Sequence, residues 1–169
     1  RIIKIKNNNL NHEEIISNSL FYSTSIEDKI NKRYNPAIIM KQIRYWDDKT
    51  IEKIRKGYYS ASYFSKTKEI LLKEKNLEKV TMQVFQKNDN SILCGVDQVI
   101  ELLKTGTGYF ENNKWISKWT EIRVKTLSDG DIIKKGMPVM HITGPYVYFA
   151  ELESMYLGIL ARQTRIATN

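Results

Sequence analysis

Cysteine, proline, glycine and histidine are scarce in this sequence of 169 residues, which has one cysteine, three prolines, eight glycines and two histidines. The lone Cys94 excludes an internal disulfide framework and fits a reducing, intracellular compartment, so we expect a cytoplasmic protein. No apolar run approaches about 18 residues, so we expect no membrane span. Since His12 and His141 are the only histidines, no cluster has the spacing of a zinc site.

The motifs of several catalytic classes are missing as well. Gly106-Thr107-Gly108 lacks the Gly-Lys-Ser/Thr ending of a P-loop, and we predict an ordinary loop there. A Ser-His-Asp triad can be assembled only by choosing among many serines, so that arrangement carries no weight. His141 lies on a predicted strand, where a structural role is commoner than a catalytic one. The residues therefore predict neither a catalytic group nor a metal ligand in this chain.

Positive charge, by contrast, is plentiful. The sequence has 27 Lys and Arg against 19 Asp and Glu, which gives a net charge of +8 and a pI near 9.4. One interpretation is that the protein handles anions, and the other is that lysine is spread over an ordinary solvated surface. The scatter of the charges favours the second. No recognisable reading helix or RNA-stacking motif is present, so we expect no nucleic-acid partner.

Apolar periodicity predicts strands and helices in mixed order. Residues 1–6 alternate as a short edge strand. Capping spacing predicts helix starts at Asn11 with Glu14, with His12 in the same turn, and at Ser25 with Asp28; Asp47 and Asp48 occupy a further cap. Helices are expected over residues 57–75 and 95–103, and strands over residues 80–85, 92–94, 121–127 and 137–142. Short strands between glycine turns predict a small β module at 121–145, and the mixed order indicates an α+β fold.

The longest apolar-rich stretch is residues 146–169. Its apolar residues recur on two helical faces, which predicts one helix of about 23 residues, roughly 34 Å long. Glu153, Thr164, Arg165 and Thr168 add polar groups that a core helix does not need. No Gly or Pro follows the last turn. We therefore expect the helix to lead into further chain, with its last turn frayed or its apolar side covered by another copy.

Two polar or aromatic groupings are candidates for binding. Four aromatic residues fall within residues 58–64, where core packing is the commoner role and stacking on a flat, electron-poor ring is the alternative. Hydroxyl and guanidinium groups near the end of residues 146–169 are able to contact phosphate or carboxylate, with a solvated helix face as the alternative.

Two motifs carry a resemblance to a known family. They are Tyr-Phe-x-Lys-Thr at residues 63–67 and Leu-Glu-x-x-x-Leu-Gly-x-Leu-Ala-x-x-Thr-x-Ile-Ala-Thr at residues 152–168. With these motifs, residues 46–169 resemble the N-terminal region of nicotinate phosphoribosyltransferases, within the wider quinolinate/nicotinate group. Two positions depart from the family pattern: Ala61 stands where Asp is frequent, and Lys66 stands where many members have Arg. Lysine keeps the charge but not the planar fork of arginine.

The resemblance implies an enzyme of NAD salvage. Such enzymes join nicotinate to the ribose of phosphoribosyl pyrophosphate, making nicotinate mononucleotide and pyrophosphate with ATP coupling and Mg²⁺. It also implies the N-terminal sandwich domain of a type II phosphoribosyltransferase, with a hammerhead-like β module, followed by an α/β barrel that is absent here. The family forms homo-oligomers, dimers or larger, in which the first domain of one subunit closes the barrel mouth of another.

The same resemblance assigns roles to residues of this chain. Tyr63 is implied to stack on the nicotinate ring, in a neighbouring subunit's site. Further substrate-binding residues implied more weakly are Lys66, Thr67, Thr164 and Thr168. The phosphorylated histidine of the family belongs to the barrel, and we expect neither Mg²⁺ nor ATP to be bound by residues of this chain. The 169-residue chain alone is therefore expected to be inactive.

Three parts follow from these inferences. Residues 1–45 are expected to form an N-terminal extension, residues 46–145 an α+β substrate-closing domain that includes the module at 121–145, and residues 146–169 a connector helix. The alternative is a stand-alone carrier-like or interaction module without catalysis. The turns of the module resemble lipoyl and biotinyl carriers, but Lys134-Lys135-Gly136 lacks the usual setting of a modifiable lysine.

Overall fold

The computed structural model describes residues 3–5 and 45–169, which belong to one compact unit. The helices are α1 (Asp48–Arg55), α2 (Ser62–Lys73), α3 (Val96–Gly106) and α4 (Glu153–Thr168). The strands are β1 (Ile3–Ile5), β2 (Lys79–Phe85), β3 (Ser91–Ile92), β4 (Gly108–Glu111), β5 (Lys114–Ser117), β6 (Arg123–Thr126), β7 (Ile132–Ile133) and β8 (Pro138–Pro145). Three 3-10 turns cover Trp119–Glu121, Tyr146–Tyr148 and Ala150–Leu152. No helix among these elements is long and apolar enough to cross a bilayer.

The central element is a four-stranded antiparallel sheet in the order β1-β2-β8-β6. The alternating residues of β2 and β8 place Met82 opposite Ile142 and Val84 opposite Met140, and all four side chains are buried. This inward face is the side of the sheet that packs into the core. Because β1 pairs only with β2 in this sheet, the edge strand predicted for residues 1–6 is confirmed over its described part, Ile3–Ile5.

Strand β8 is longer than the sequence indicates. The sequence predicts a strand over residues 137–142, but Thr143 pairs with Thr81 and Gly144 pairs with Val80. A side chain on Gly144 would have its Cβ 2.4 Å from Ile122 Cδ1 and 2.9 Å from the Glu121 carbonyl. The glycine is therefore there to let the Trp119–Glu121 turn pack closely on the strand, not to end it.

The expected β module at 121–145 is not self-contained. The glycine turns lie where they were predicted, and Asp131 closes the first by accepting a hydrogen bond of 2.8 Å from the Ser128 amide. Strands β6 and β8 of the module pair with each other, but β8 also pairs with β2 in the central sheet, and β7 pairs with β3. Strand β6 also begins only at Arg123, because a 3-10 turn precedes it. The module is therefore not closed on itself, because β7 and the second edge of β8 pair with strands outside residues 121–145.

A hairpin formed by β4 and β5 was not predicted. Its two-residue loop is Asn112-Asn113, and both residues have positive φ, 48° and 61°. Asparagine tolerates this left-handed backbone, and such two-residue loops match the twist of the two flanking strands. The Asn-Asn pair between short aromatic runs was the available signal.

The starts of α1 and α3 agree with the sequence prediction, whereas α2 starts later than predicted. Asp47 caps α1 by accepting a hydrogen bond of 2.7 Å from the Thr50 amide, as expected. Helix α2 begins at Ser62 rather than at residue 57, because residues 57–61 turn through Gly57, whose φ is +70°. Helix α3 follows Gly95, and Asp129 accepts a hydrogen bond of 2.8 Å from the Val96 amide.

The stretch 146–169 is not a single helix. Its first seven residues form the 3-10 turns Tyr146–Tyr148 and Ala150–Leu152, separated by Phe149 with φ of −133°. Helix α4 then has 16 residues. Every residue from 145 to 150 is buried, so this run has no exposed face. Without one, the spacing of apolar and polar residues does not distinguish an α-helix from 3-10 turns.

The last turn of α4 is ordered, contrary to the expectation that it frays. The Thr168 hydroxyl donates a hydrogen bond of 2.6 Å to the Thr164 carbonyl and accepts one of 3.0 Å from the Ile92 amide. Ile166 on the opposite side is 67% exposed. The other half of that expectation, a second copy covering the apolar side, stays a prediction.

Some expectations fall on residues that the structure does not describe. The predicted helix starts at Asn11 with Glu14 and at Ser25 with Asp28 lie there, as does His12. Strand β1 completes the central sheet, so a boundary at residue 45 separates that strand from the sheet to which it belongs.

Candidate functional site

Tyr63 stands at the first turn of α2 and points outward. Its side chain is 61% exposed, whereas the next residue, Phe64, is only 6% exposed. The two rings lie with centroids 4.1 Å apart at an angle of 44°. Core packing is therefore the role of Phe64, and Tyr63 presents an aromatic face to its surroundings.

The surface around Tyr63 is aromatic and cationic. Tyr58 and Tyr59, in the turn before α2, are 69% and 41% exposed, and their rings meet edge to face at 5.0 Å. The Lys53 ammonium lies 5.0 Å from the centroid of the Tyr58 ring. Lys66 is exposed near the start of the same helix. Such a surface suits a flat ring that carries negative charge.

Thr67 plays a local part in this arrangement. Its hydroxyl donates a hydrogen bond of 2.8 Å to the Tyr63 carbonyl, the common back-bond of a helical threonine. The geometry thus gives Thr67 an intrahelical partner. A substrate contact for Thr67 stays a prediction.

The start of α4 lies close to this helix. Tyr146 is buried and its hydroxyl donates a hydrogen bond to the Glu153 carboxylate. Burial, then the charge of Glu153 and this hydrogen bond, raise the pKa of Tyr146 to about 12, and nearby Tyr63 adds to the effect. The fold thereby brings the two family-like motifs, around Tyr63 and Glu153, next to each other.

A buried ion pair joins the same two regions. The Lys68 ammonium lies 2.6 Å from a Glu151 carboxylate oxygen, with the side chains only 10% and 14% exposed. Lys68 also lies 5.8 Å from the centroid of the Trp115 ring, and the Arg55 guanidinium lies 5.2 Å from it. Burial lowers the pKa of Arg55, whose Nε donates a hydrogen bond of 3.1 Å to the Thr105 carbonyl.

Sequence reasoning missed the Lys68–Glu151 pair. The signal was weak: Phe64, Lys68 and Leu71 recur at helical spacing, so the lysine shares the inward face of α2. A lysine on such a face predicts a buried acidic partner. The partner lies 83 residues away in the sequence, and nothing local identifies it.

The two C-terminal threonines face strand β3. Thr164 is 4% exposed; its hydroxyl accepts a hydrogen bond of 3.2 Å from the Cys94 amide and donates one of 3.3 Å to the Cys94 carbonyl. The Thr168 hydroxyl accepts a hydrogen bond of 3.0 Å from the Ile92 amide. The structure therefore does not bring Thr164 and Thr168 together with Tyr63, since 11 residues of helix between Glu153 and Thr164 span roughly 16 Å. A phosphate contact for them stays a prediction.

The remaining candidates have structural settings. His141 sits between Gln83 and Lys125 of the neighbouring strands, and burial followed by the charge of Lys125 lowers its pKa. This agrees with the structural role inferred for it. Gly106 ends α3 and Gly108 begins β4, so the Gly-Thr-Gly sequence is a connection between the two elements.

The candidate site is an open surface. A small cleft next to Tyr146 has a volume of about 20 Å³, room for about one water molecule. Within residues 3–5 and 45–169, no three His, Cys, Asp or Glu side chains lie close enough to hold a metal ion.

Comparison with known proteins agrees with the fold. The crystal structure of nicotinate-nucleotide pyrophosphorylase from Pyrococcus furiosus is similar, with a TM-score of 0.53 and 26% sequence identity. The similarity covers 72% of this chain but only 28% of that protein, so the chain spans little more than a quarter of its length. No curated protein sequence matches the chain.

A family model with the description "Quinolinate phosphoribosyl transferase, N-terminal domain" matches residues 62–164. The match begins at the helix that carries Tyr63 and includes both Lys68 and Glu151. It confirms the wider group inferred from the sequence and the mixed helix-and-sheet fold of a type II phosphoribosyltransferase N-terminal domain, but it does not single out nicotinate. Since the match covers more than half of the chain, this protein belongs to the quinolinate phosphoribosyl transferase N-terminal domain family.

Proposed function

We propose that this chain is the substrate-closing N-terminal part of a phosphoribosyltransferase of NAD biosynthesis, acting on a pyridine carboxylate. Nicotinate is the acceptor that we favour, because the Tyr-Phe-x-Lys-Thr run resembles the nicotinate group. The observation that carries the proposal is the exposed ring of Tyr63, held at the first turn of α2 inside the segment that matches the family.

The reaction makes one bond and breaks another. The pyridine nitrogen attacks C1 of the phosphoribosyl group with its lone pair, and the bond from C1 to the pyrophosphate oxygen breaks, so pyrophosphate leaves with the bonding electrons. For this reaction Tyr63 supplies a flat face on which the acceptor ring stacks. Lys66 supplies a positive charge for a carboxylate or phosphate of the substrates. Both act by orienting the reactants rather than by moving protons.

The rest of the machinery is proposed to lie outside these residues. Coupling to ATP, the use of Mg²⁺ and a phosphorylated histidine are expected of the barrel, and no step is assigned to them here. We also propose a cytoplasmic homo-oligomer in which Tyr63 reaches the site of a neighbouring subunit. The hammerhead-like description of the sheet remains part of this proposal.

Replacing Tyr63 tests the proposal. In the full-length protein, Tyr63→Ala is expected to raise the KM for nicotinate by about 2- to 12-fold, because ring stacking contributes about 0.5–1.5 kcal/mol beyond burial. The KM for phosphoribosyl pyrophosphate should change little. Steady-state kinetics with nicotinate and with quinolinate in parallel also identify the acceptor.

Tyr45→Ala is the matched control, since Tyr45 is an exposed tyrosine outside the surface around Tyr63. It is expected to leave both KM values unchanged. Equal effects of the two substitutions, or no effect of either, would remove the stacking role from Tyr63.

The alternative of a carrier-like or interaction module gains no support from Lys134 and Lys135. A carrier-like module would pair its strands only with one another, whereas here β8 also pairs with β2 and β7 pairs with β3.

A further inference from the structure

We propose that the buried Lys68–Glu151 ion pair is a positioning device that sets the direction of α2 and thereby the place of Tyr63. Its effect on kinetics rests on the proposed function, whereas its effect on the position of the Tyr63 ring does not. Neither residue is assigned a role by the family resemblance.

The pair differs from the other ion pairs of the described residues. Lys56–Glu52 at 2.5 Å joins two residues of α1 whose side chains are 61% and 62% exposed. Lys118–Glu121 is a local contact with side chains 26% and 40% exposed. Lys68–Glu151 alone of these three joins separate elements, and its side chains are only 10% and 14% exposed. Burial makes its geometry firm, because neither partner is able to exchange freely with water.

The pair is the polar contact in the middle of the face by which α2 packs. Phe64 and Lys68 are the buried residues of α2, and Leu71 packs partly against the core one turn later. The start of the helix has no side-chain cap, because Ala61 stands there. Tyr63 therefore depends for its position on the anchors that follow it in the helix. The apolar contacts of Phe64 are not directional and allow α2 to slide, whereas a hydrogen-bonded ion pair fixes the direction and rotation of the helix.

Glu151 is itself held in place from the other side. A Cβ on Gly57 would lie 2.6 Å from Glu151 Oε1 and 3.2 Å from Ser65 Oγ. The glycine thus lets the turn before α2 close over the carboxylate that binds Lys68. Glu151 is therefore contacted both by the turn at Gly57 and by Lys68. The first part of α2, which bears Tyr63, lies between these two points in the sequence.

Trp115 of the β4–β5 hairpin supports the lysine. Its ring lies within 5.8 Å of the Lys68 ammonium and 5.2 Å of the Arg55 guanidinium, so one aromatic ring contacts cations from α1 and α2. Four separate segments meet at the pair: the end of α1, helix α2, the hairpin and the turn before α4. The position of the exposed Tyr63 ring therefore depends on contacts with all four segments.

The test uses variants that remove the pair without leaving a buried charge. Lys68→Met alone leaves Glu151 buried and unpaired, and the protein then risks unfolding. The double variant Lys68→Met/Glu151→Leu replaces both groups by apolar ones, and Lys68→Arg keeps the charge. Lys56→Met is the matched control, because it breaks a pair of similar length that is exposed and lies within one helix.

The first measurement follows the ring directly. A 3-fluorotyrosine introduced at position 63 reports its surroundings through its ¹⁹F resonance. In the folded double variant this resonance is expected to shift and broaden, whereas Lys56→Met leaves it unchanged. Lys68→Arg, which keeps the charge, is expected to shift it less than the double variant does. An unchanged resonance in a double variant that is folded by circular dichroism overturns the proposal, whatever the enzyme's activity.

The second measurement is a double-mutant cycle in the full-length protein. The double variant is expected to raise the KM for the pyridine substrate by about 2- to 10-fold with kcat nearly unchanged. In a Tyr63→Ala background the same change should have no further effect, because it acts through Tyr63. Additive effects would overturn the positioning role. If Tyr63→Ala itself leaves KM unchanged, the proposed function fails and the ¹⁹F result alone decides the positioning.

Discussion

Two glycines of this protein have opposite effects on its stability. Gly108, at the start of β4, has φ of +150°, and a Cβ there would lie 2.2 Å from the backbone carbonyl oxygen of Ile116. A backbone atom of the paired strand is unable to move aside as a flexible side chain does. Gly158 lies inside α4, is exposed, and has open space where a Cβ would be. The first glycine is required by close strand approach, whereas the second weakens a helix.

We expect the two alanine substitutions to change stability in opposite directions. Gly108→Ala should lower the free energy of unfolding by about 1–3 kcal/mol, because it adds backbone strain and a clash. Gly158→Ala should raise it by about 0.5–1 kcal/mol, because alanine favours helix. Urea unfolding followed by circular dichroism measures both. A stabilising Gly108→Ala would show that the β4–β5 hairpin is not packed as described.

At the scale of elements, the fold places the candidate site at the contact between α2 and the turns before α4. The 3-10 turns at 146–152 carry Tyr146 and Glu151 inward, and α4 then runs away toward β3. The far end of α4 is held to β3 by threonine hydroxyls that bond the backbone of Ile92 and Cys94. The helix thus connects the candidate site to the small β3–β7 sheet.

Removing the threonine contacts is expected to loosen that end of the helix. Thr164→Val should cost about 1–3 kcal/mol, because it leaves the partly buried Cys94 amide and carbonyl without their partner. Thr120→Val is the control at an exposed threonine and should change stability by about 0.5 kcal/mol or less. Hydrogen exchange of the Cys94 amide should speed up in the first variant alone. Unchanged stability with a higher KM for phosphoribosyl pyrophosphate would instead support the phosphate role.

At the scale of the whole molecule, the role proposed for this chain is to close a site rather than to contain one. It spans 28% of the Pyrococcus furiosus protein that it resembles in structure. Its candidate residues form an open aromatic and cationic surface around Tyr63, with Tyr146 and Glu153 next to it. Such a surface needs a second surface opposite it to enclose a substrate.

We expect the 169-residue chain alone to make no nicotinate mononucleotide. The physical reason is that an open surface orients one substrate but supplies neither enclosure nor the electrostatic stabilisation of the transition state. A sensitive chromatographic assay with nicotinate, phosphoribosyl pyrophosphate, ATP and Mg²⁺ checks this, with recovery of added product as the control. Clear turnover by the isolated chain would contradict the division of labour proposed here.

Local chemistry in the sequence determined several elements directly. The alternating run at β2, the Asp47 cap of α1 and the turn closed by Asp131 all depend on neighbours within a few residues. The motifs around Tyr63 and residues 152–168 likewise identified the wider family, because they are contiguous. These features follow from short-range hydrogen bonding and from which side chains avoid water.

Only the tertiary structure decided which partners those elements take. It turned Phe64 inward and Tyr63 outward, separated β6 from β7 into different sheets, and tightened residues 146–152 into 3-10 turns. It also brought Lys68 to Glu151 across 83 residues. Each of these outcomes depends on competition between distant segments for the same buried surface, and a local pattern carries no information about which segment prevails.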